Sequence, residues 1–236
     1  NVHKEKGADL TVAVLNVSLK EASRFGIMNT DDKGYIYEFE EKPEKPKSTL
    51  ASMGIYIFNY KELRKYLIAD AADENSKHDF GMNIIPSMLA DKKKLYAWTF
   101  DGYWKDVGTV ESLWQANMDL LDDKELDLYN IKKDWKIYSE DTLGKPQLIG
   151  AKASVKNSLV TQGCVVNGEV EGSVLFSNVN IGEGAKVIDS VLMPGVLIEE
   201  GAVVKKAIID EGVVIKAGTV VNEEAEEVAL VSGNSR

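Results

Sequence analysis

The hydrophobic pattern of residues 1–125 alternates between two kinds of segment. Short runs rich in β-branched and aromatic residues predict strands, and longer stretches with leucine or isoleucine at helical spacing predict helices. The predicted strands are LTVAVLNV, YIYEF, MGIYIFN and LYAWTF, and the predicted helices are KELRKYLIADA, DFGMNIIPSMLADKK and TVESLWQANMDLLDD. Asp79 and Thr109 cap the last two helices, and Asp101 and Gly102 predict a tight turn. This half of the chain is therefore predicted to be mixed α/β.

The first residues, NVHKEKG, are typical of the last turn of a helix that stops at Gly7. A strand is predicted to follow from Leu10. Because domains seldom begin inside a helix, we expect this chain to be the C-terminal part of a longer protein.

A repeat of 17 residues replaces this pattern in the second half. The blocks 172–188, 189–205 and 206–222 align without a gap. They share four aliphatic columns and one glycine column, which are Val174, Val191 and Ile208; Val179, Val196 and Val213; Ile181, Ile198 and Ile215; Val187, Val204 and Val221; and Gly184, Gly201 and Gly218. Since the pattern steps by about six residues, each block predicts one coil of a parallel β-helix of hexapeptide type, with glycine at corners that need φ > 0.

The segment 157–172 resembles a shorter, irregular coil, and we expect Cys164 to be a small buried hydrophobe there. Residues 126–146 are polar with scattered aromatics and predict a linker. The predicted organisation is an α/β domain over 1–125, the linker 126–146 and a β-helix over 147–236.

Composition excludes several function classes. The 236 residues, 44% hydrophobic and 28% charged, are typical of a soluble protein of two domains. The net charge of -10 disfavours nucleic acid and anionic membranes as partners. No apolar stretch approaches the roughly 18 residues of a membrane helix. The single Cys164 cannot form an internal disulfide, and we expect a cytoplasmic location.

Histidine and glycine offer little support for common kinds of active site. His3 and His78 stand apart and show no metal-ligand spacing, so zinc and Ser-His-Asp catalysis are poorly supported. Gly182 and Gly184 suggest a phosphate loop in isolation, but glycine recurs at that column in each repeat. They are predicted to form a turn of the β-helix.

The segment EFEEKPEKPKSTLASMGIYIF carries more informative chemistry. Lys42 precedes Pro43, which predicts extended backbone and a side chain that projects from a strand end; a solvated surface charge is the alternative. Ser52 and Gly54 stand at the start of a buried strand and suit a polar ligand close to backbone. Asp106, in GYWKDVGT, is the kind of hard oxygen ligand that Mg²⁺ uses.

Five segments taken in order give a family resemblance. SRFGIM, EFEEKP, ASMGIYIF, DFGMNIIP and GYWKDVGT, followed by a β-helix, resemble sugar-phosphate nucleotidyltransferases, and most of all the bacterial glucose-1-phosphate adenylyltransferases, the ADP-glucose pyrophosphorylases. The resemblance covers essentially the whole chain. It implies the C-terminal part of a Rossmann-like nucleotidyltransferase domain, followed by a left-handed parallel β-helix.

The resemblance also implies an activity and a set of site residues. The activity is transfer of the adenylyl group of ATP to glucose 1-phosphate, giving ADP-glucose and pyrophosphate for glycogen synthesis. Gly26 would lie against glucose 1-phosphate, Glu41 and Lys42 would contact its sugar and phosphate, and Ser52 would contact the glucose. Asp106 would be one of two carboxylates that hold Mg²⁺. A homotetramer or mixed tetramer with allosteric sugar-phosphate effectors is implied as well.

One departure from the family limits this expectation. The glycine-rich, Arg-containing loop that cradles the triphosphate and the second metal-binding aspartate have no counterpart in this chain, so we expect the chain alone to be inactive. A noncatalytic regulatory subunit is one alternative, although Lys42 and Asp106 are retained. A hexapeptide acyltransferase would need a histidine that the repeats lack. A sugar-phosphate-binding or assembly module is the third alternative.

Overall fold

A computed structural model describes residues 1–122 and 144–233 of the chain. Contacts between Cα atoms divide it into two units, Asn1–Gly102 and Tyr103–Arg236. Most of the predicted linker, 126–146, lies outside the described residues, and the predicted domain limits stay predictions. Within the described ranges, no helix has the length and apolar character needed to cross a membrane.

The first unit is a mixed α/β structure, as its pattern predicts. Its elements are α1 (Val2–Lys6), β1 (Leu10–Asn16), α2 (Leu19–Ala22), β2 (Gly26–Thr30), β3 (Ile36–Glu41), β4 (Leu50–Phe58), α3 (Tyr60–Ala71), a π-helical turn (Phe80–Ile84), α4 (Ile85–Ala90) and β5 (Leu95–Thr99). The sheet order is β3-β2-β4-β1-β5, and only the β1–β5 pair is parallel. The sequence did not predict α2 or β2.

Local signals explain the ends of these elements. Gly7 closes α1 with φ 57, a left-handed conformation that glycine adopts without a Cβ penalty. The Asp79 carboxylate accepts the N–H of Met82 at 2.8 Å and caps the π-helical turn. The chain bends at Gly102 without forming the predicted tight turn, because β5 leads toward a helix and has no hairpin partner there.

The core of the first unit lies between one face of the sheet and α4. Alternate residues of β1 supply Leu10, Val12 and Val14, which are fully buried against Ile85 and Met88 of the helix. Burying such side chains stabilises the fold by about 1.5–3 kcal/mol each. This packing fixes the strands that carry the candidate site.

In its described residues, the second unit contains an α-helix and a parallel β-helix. The helix α5 (Val110–Met118) begins with a capping box between Thr109 and Ser112 and continues into a 3-10 turn (Asp119–Leu121). The strands of the β-helix are β6 (Leu148–Ile149), β7 (Ser154–Lys156), β8 (Leu159–Val160), β9 (Val165–Val166), β10 (Glu169–Glu171), β11 (Val174–Leu175), β12 (Asn180–Ile181), β13 (Lys186–Ile188), β14 (Val191–Leu192), β15 (Leu197–Ile198), β16 (Val203–Lys205), β17 (Ala207–Ile209), β18 (Val214–Ile215), β19 (Val220–Val221) and β20 (Ala229–Val231).

These strands form three five-stranded parallel sheets, and their register confirms the predicted repeat. The orders are β19-β16-β13-β10-β7, β20-β17-β14-β11-β8 and β18-β15-β12-β9-β6. Columns aligned from sequence are hydrogen-bonded neighbours in space, as in Ile181, Ile198 and Ile215. The glycine column turns corners with φ of 71, 66 and 70 at Gly184, Gly201 and Gly218. The predicted β-helix is therefore confirmed coil by coil.

The shorter coil before the regular repeats is also present. Glu169 pairs with Ser154 on one side and with Lys186 on the other, so the earlier coil is two residues shorter than the later one. Cys164 is fully buried inside it, and its Sγ donates to the carbonyl of Phe176 at 3.0 Å. Burial raises the pKa of this thiol, which fits the predicted role as a small buried hydrophobe.

One corner of the β-helix is closed by a ladder of serines that the sequence did not predict. The N–H of Ser173 donates to Ser158 Oγ at 3.1 Å, and that of Ser190 donates to Ser173 Oγ at 3.0 Å. The N–H of Ala207 then donates to Ser190 Oγ at 3.2 Å, and the ladder ends because Ala207 has no hydroxyl. Each hydroxyl thus satisfies a backbone group of the next coil.

Candidate functional site

Four of the five predicted site residues lie in one region of the sheet of the first unit. Gly26 is the first residue of β2 and pairs with Glu41, the last residue of β3. Lys42 follows directly after β3, and Ser52 lies in β4, the other neighbour of β2. The sheet order therefore brings together residues that are up to 26 positions apart in the sequence.

Two glycines surround the Glu41 side chain. A Cβ on Gly26 would stand 2.6 Å from Cε2 of Phe39 and 3.1 Å from Glu41 Oε2. A Cβ on Gly81 would stand 3.0 Å from the same carboxylate oxygen and 3.3 Å from Oδ1 of Asp79. The missing side chains leave room for the Phe39 ring and the Glu41 carboxylate, so Gly26 has a packing role here. Its contact with a sugar phosphate stays a prediction.

The backbone at Lys42 corrects one expectation. The sequence predicts extended geometry before Pro43, but Lys42 has φ 46, in the left-handed region. The reason is tertiary: its N–H donates to the carbonyl of Phe25 at 3.1 Å, one step beyond the last β2–β3 pair, and the chain then turns out of the sheet. A non-glycine residue in this region costs about 1–3 kcal/mol and is found often at functional sites.

The Lys42 side chain is held loosely. Its Nζ lies 4.0 Å from Glu41 Oε1, and the side chain is 66% exposed. An exposed pair of this kind contributes little to stability. The ammonium group can therefore leave Glu41 and pair with an incoming anion at small cost.

A bulge in β4 sets the direction of the Ser52 hydroxyl. Val12 of β1 pairs with Tyr56 and Val14 pairs with Ser52, so β4 has two additional residues in this interval. Gly54 lies within it with φ 70, and its N–H donates to Ser52 Oγ at 3.2 Å. Bulges often change the direction of side chains near functional sites, because the extra residues do not take part in the regular hydrogen bonding of the sheet.

Tyr56 lies near Ser52 and within the electrostatic influence of two carboxylates. Burial raises the pKa of Tyr56, a hydrogen bond with Ser52 lowers it in part, and the negative charges of Asp79 and Glu41 raise it further. The phenol therefore stays neutral near pH 7 and can donate a hydrogen bond. Its ring packs 5.4 Å from that of Phe80 and 6.0 Å from that of Phe58. An aromatic wall thus stands beside a set of polar groups.

The sequence did not identify Tyr56, Asp79 or Phe80 as site residues. Tyr56 follows Ser52 by four positions, so strand alternation by itself would have placed both side chains on one face of β4. Asp79 and Phe80 come from a different part of the chain. Their sequence signals were a helix cap at Asp79 and the segment DFGMNIIP of the family resemblance, and neither signal assigned them to the site. Their place in this site depends on the packing of the π-helical turn against the sheet.

Asp106 belongs to the second unit and has a different environment. Asp106 is exposed, and within the described ranges its carboxylate has no ion-pair partner. Nor do those ranges contain a group of three or more His, Cys, Asp or Glu side chains that could hold a metal ion by itself. A free carboxylate still fits one ligand position of Mg²⁺, which often takes one or two carboxylates together with substrate phosphates and waters.

The arrangement in the first unit suits a hydroxyl-rich ligand with one anionic group. The Glu41 and Asp79 carboxylates accept hydrogen bonds, the Tyr56 phenol donates, and Ser52 does both. The aromatic rings offer an apolar surface for one face of such a ligand. Lys42 supplies the one positive charge of this set.

Comparisons with known proteins divide the chain into two parts, and the first part extends beyond the first unit to include α5. Residues 1–123 match the protein family described as Nucleotidyl transferase, and residues 147–230 match the one described as GlmU-like, C-terminal hexapeptide. A protein of Clostridium beijerinckii named glucose-1-phosphate adenylyltransferase is 60% identical over 188 residues, which are 79% of this chain and 48% of that protein. These matches confirm the predicted resemblance and the predicted succession of folds.

Two further relatives carry the same name. The protein of Clostridium perfringens strain 13 is 60% identical over 189 residues, which cover 80% of this chain and 48% of that protein. The protein of Fusobacterium nucleatum is 54% identical over 188 residues, with coverage of 79% and 48%. The chain thus spans about half the length of the curated relatives it matches.

Proposed function

We propose that this chain, which belongs to the nucleotidyl transferase family, is part of a longer enzyme that transfers the adenylyl group of ATP to glucose 1-phosphate. The products are ADP-glucose and pyrophosphate, for use in glycogen synthesis. The proposal takes its substrates from the name of the relatives reported above, which are 54% to 60% identical to this chain.

One observation carries the choice of substrate. Glu41, Ser52, Tyr56 and Asp79 converge beside one ammonium group, that of Lys42, which is exposed and only weakly paired with Glu41. Sugar hydroxyls need acceptors and donors at close range, and a phosphate needs one mobile positive charge. We propose that Glu41 and Ser52 bind the glucose, that Lys42 binds the phosphate, and that Gly26 keeps Glu41 in position.

Charge explains the proposed use of a metal. The reaction brings together two phosphate groups that repel each other, and bound Mg²⁺ supplies positive charge that offsets this repulsion. In this chain Asp106 would provide one carboxylate oxygen for the ion. Lys42 would neutralise part of the charge of glucose 1-phosphate and orient its phosphate oxygen for in-line attack on ATP.

The remaining parts of the proposal concern the complete enzyme. We propose a cytoplasmic enzyme, assembled as a homotetramer or a mixed tetramer and regulated by sugar-phosphate effectors. The β-helix would serve assembly and control, because its repeats present aliphatic columns with few convergent polar groups.

Replacement of Lys42 by alanine in the longer enzyme tests the substrate assignment. We expect the KM for glucose 1-phosphate to rise about 100-fold, since a charge-assisted contact to phosphate is lost, while the KM for ATP changes less than about threefold. Initial rates of pyrophosphate release measure both constants.

Lys45→Ala provides the matched control. Lys45 belongs to the second Lys-Pro step of the same segment, is also exposed, and should leave both constants unchanged. An unaltered KM for glucose 1-phosphate in Lys42→Ala would return Lys42 to the role of a solvated surface charge.

A further inference from the structure

The helix α5 is fixed to a corner of the β-helix. The indole N–H of Trp114 donates to the carbonyl of Asp189 at 2.7 Å, and Nζ of Lys206 lies 5.5 Å from the centre of the indole ring. Asp189 and Lys206 are equivalent corner residues of successive coils, with φ of 45 and 40. One side chain of α5 thus contacts two stacked coils at a point where the backbone is tightly constrained.

Burial on the outside of the β-helix indicates a covered surface at the same corner. Val174, Val191 and Ile208 form a column whose neighbours Leu175, Leu192 and Ile209 point into the coil interior, so this column points outward. Its members are nevertheless only 4%, 0% and 2% exposed. An outward column with so little exposed surface is covered from outside the coil. One covering element is α5, which contacts β17, the strand of Ile208.

At its other end, α5 holds the segment that precedes Asp106. Three donors converge on the carboxylate of Asp119: the Tyr103 hydroxyl at 2.8 Å, the Lys105 ammonium at 2.5 Å and the Gln115 amide at 2.9 Å. The Asp119 side chain is 12% exposed, and that of Lys105 is 30% exposed. Tyr103 and Lys105 therefore tie their segment to the helix from both sides of residue 104.

The protonation of Asp119 agrees with this geometry. Burial raises its pKa, but the hydrogen bonds from Gln115, Lys105 and Tyr103 outweigh burial, and the net result is a lowered pKa. The carboxylate is therefore ionised at neutral pH and accepts all three donors at once.

We propose that Asp119 is a positioning residue, which together with Trp114 ties the Asp106 segment to the β-helix. Asp106 follows Lys105 directly and has no ion pair of its own in the described part of the chain, so its position depends on the backbone of residues 103–105. That backbone is held by Asp119, and the helix of Asp119 is held by the β-helix corner. A change in the β-helix would thus be transmitted to Asp106. The role given to Asp106 rests on the proposed function.

The first experiment needs only the chain itself. Asp119→Asn removes the charge that holds Lys105, and Glu111→Gln, an exposed position on the same helix, removes an equal charge as the control. We expect the backbone amide NMR order parameters of residues 103–108 to fall from about 0.85 toward about 0.6 in Asp119→Asn and to be unchanged in Glu111→Gln. Order parameters equal to those of the unmodified chain would overturn the proposal and leave the proposed function untouched.

Trp114→Phe separates the contribution of the β-helix. It keeps an aromatic ring and removes the N–H that donates to Asp189. We expect the backbone order parameters of residues 103–108 to fall by less than in Asp119→Asn. If they change only within the helix, the link to the β-helix is wrong. Should Asp119→Asn fail to fold, Tyr103→Phe removes a single donor, and a similar smaller fall is expected.

The second experiment uses the longer enzyme and the dependence of its rate on Mg²⁺. We expect Asp119→Asn to raise the half-saturating Mg²⁺ concentration about tenfold, with the KM for glucose 1-phosphate within about twofold of the unmodified enzyme. A merely structural role would lower kcat and the thermal midpoint without moving the half-saturating concentration, and that outcome contradicts the proposal. Asp106→Asn tests the proposed function separately, because an unchanged Mg²⁺ dependence there would remove Asp106 as a ligand whatever Asp119 does.

Discussion

Two side chains of the first unit show that the fold can either raise or lower the pKa of a titratable group. Burial dominates at Tyr56, whose pKa it raises, so the phenol keeps its proton beside the Asp79 and Glu41 carboxylates. Hydrogen bonds dominate at Glu62, whose pKa falls from 4.5 to about 2 because Lys65 and Lys93 both donate to it. The first effect preserves a donor in the candidate site. The second joins α3 to the segment after α4.

Glu62 gives a prediction about pH dependence. Its folded pKa lies below its unfolded value, so its contribution to stability is present above the unfolded pKa and is lost as the pH falls from about 4.5 through about 2. We expect Lys93→Met to raise the pKa of Glu62 toward 4.5, measured by carbon NMR of the carboxyl group. Lys61→Met, next to Glu62 in the same helix, is the control and should leave this pKa low; equal values in all three proteins would contradict the assignment.

At the scale of elements, the serine ladder shows how one corner of the β-helix forms without glycine in most coils. This corner needs a residue with positive φ in each coil. Glycine fills it once, at Gly172, and the other coils use Asn157, Asp189 and Lys206. The following serines satisfy backbone groups of their own and the next coil, as Ser190 does by donating to the carbonyl of Ile188 at 2.6 Å. Hydrogen bonding thus compensates for strained backbone along one edge.

Ser190→Ala tests the ladder. The change leaves the N–H of the buried Ala207 without its acceptor and should destabilise the β-helix by about 1–3 kcal/mol. A lower urea midpoint and faster hydrogen exchange at the Ala207 amide are the expected measurements. Ser177→Ala, at a corner outside the ladder, should change neither, and equal effects of the two variants would show that the ladder contributes nothing specific.

At the scale of the whole molecule, the chain leaves an apolar face of the first unit exposed. Ile55, Ile57 and Trp98 are 52%, 55% and 41% exposed, and they line a hollow of about 270 Å³ together with Thr11 and Ala13. One-sided exposure of a sheet like this is unusual for a fold with helices on its faces. It agrees with the proposal that the working enzyme is longer than this chain.

A further prediction at this scale concerns the activity of the isolated chain. We expect the purified chain to release no pyrophosphate from ATP and glucose 1-phosphate with Mg²⁺, because no segment of it provides the triphosphate loop of the family. The longer enzyme under the same conditions is the positive control. Release by the chain above the rate of a blank without protein would refute this expectation.

The amount that could be predicted from sequence differs between the two units. In the β-helix, the aligned columns and the glycine corners follow from a period of 17 residues, because each coil repeats the contacts of the preceding one. The period does not show that the column of Val174, Val191 and Ile208 points outward. In the first unit, most strands and helices were predicted from local pattern, but α2 and β2 were missed. The segment LKEA is too short to show a helical period, and GIMNT carries glycine and asparagine, which are depleted in strands. The sheet order itself depends on contacts distant in sequence.

For the candidate site, the sequence by itself determined which residue types were available, and it placed Glu41, Lys42 and Ser52 near strand ends. Only the tertiary structure decided what stands around them. The left-handed backbone of Lys42 comes from a hydrogen bond to the carbonyl of Phe25. The charge of Asp79 raises the pKa of Tyr56 because the π-helical turn packs against the sheet. Likewise, a periodic pattern predicts α5 as a helix but cannot predict that Trp114 meets the carbonyl of Asp189. Local propensity and sequence repeats can be recognised from neighbouring residues. Contacts between distant residues depend on how separate elements pack.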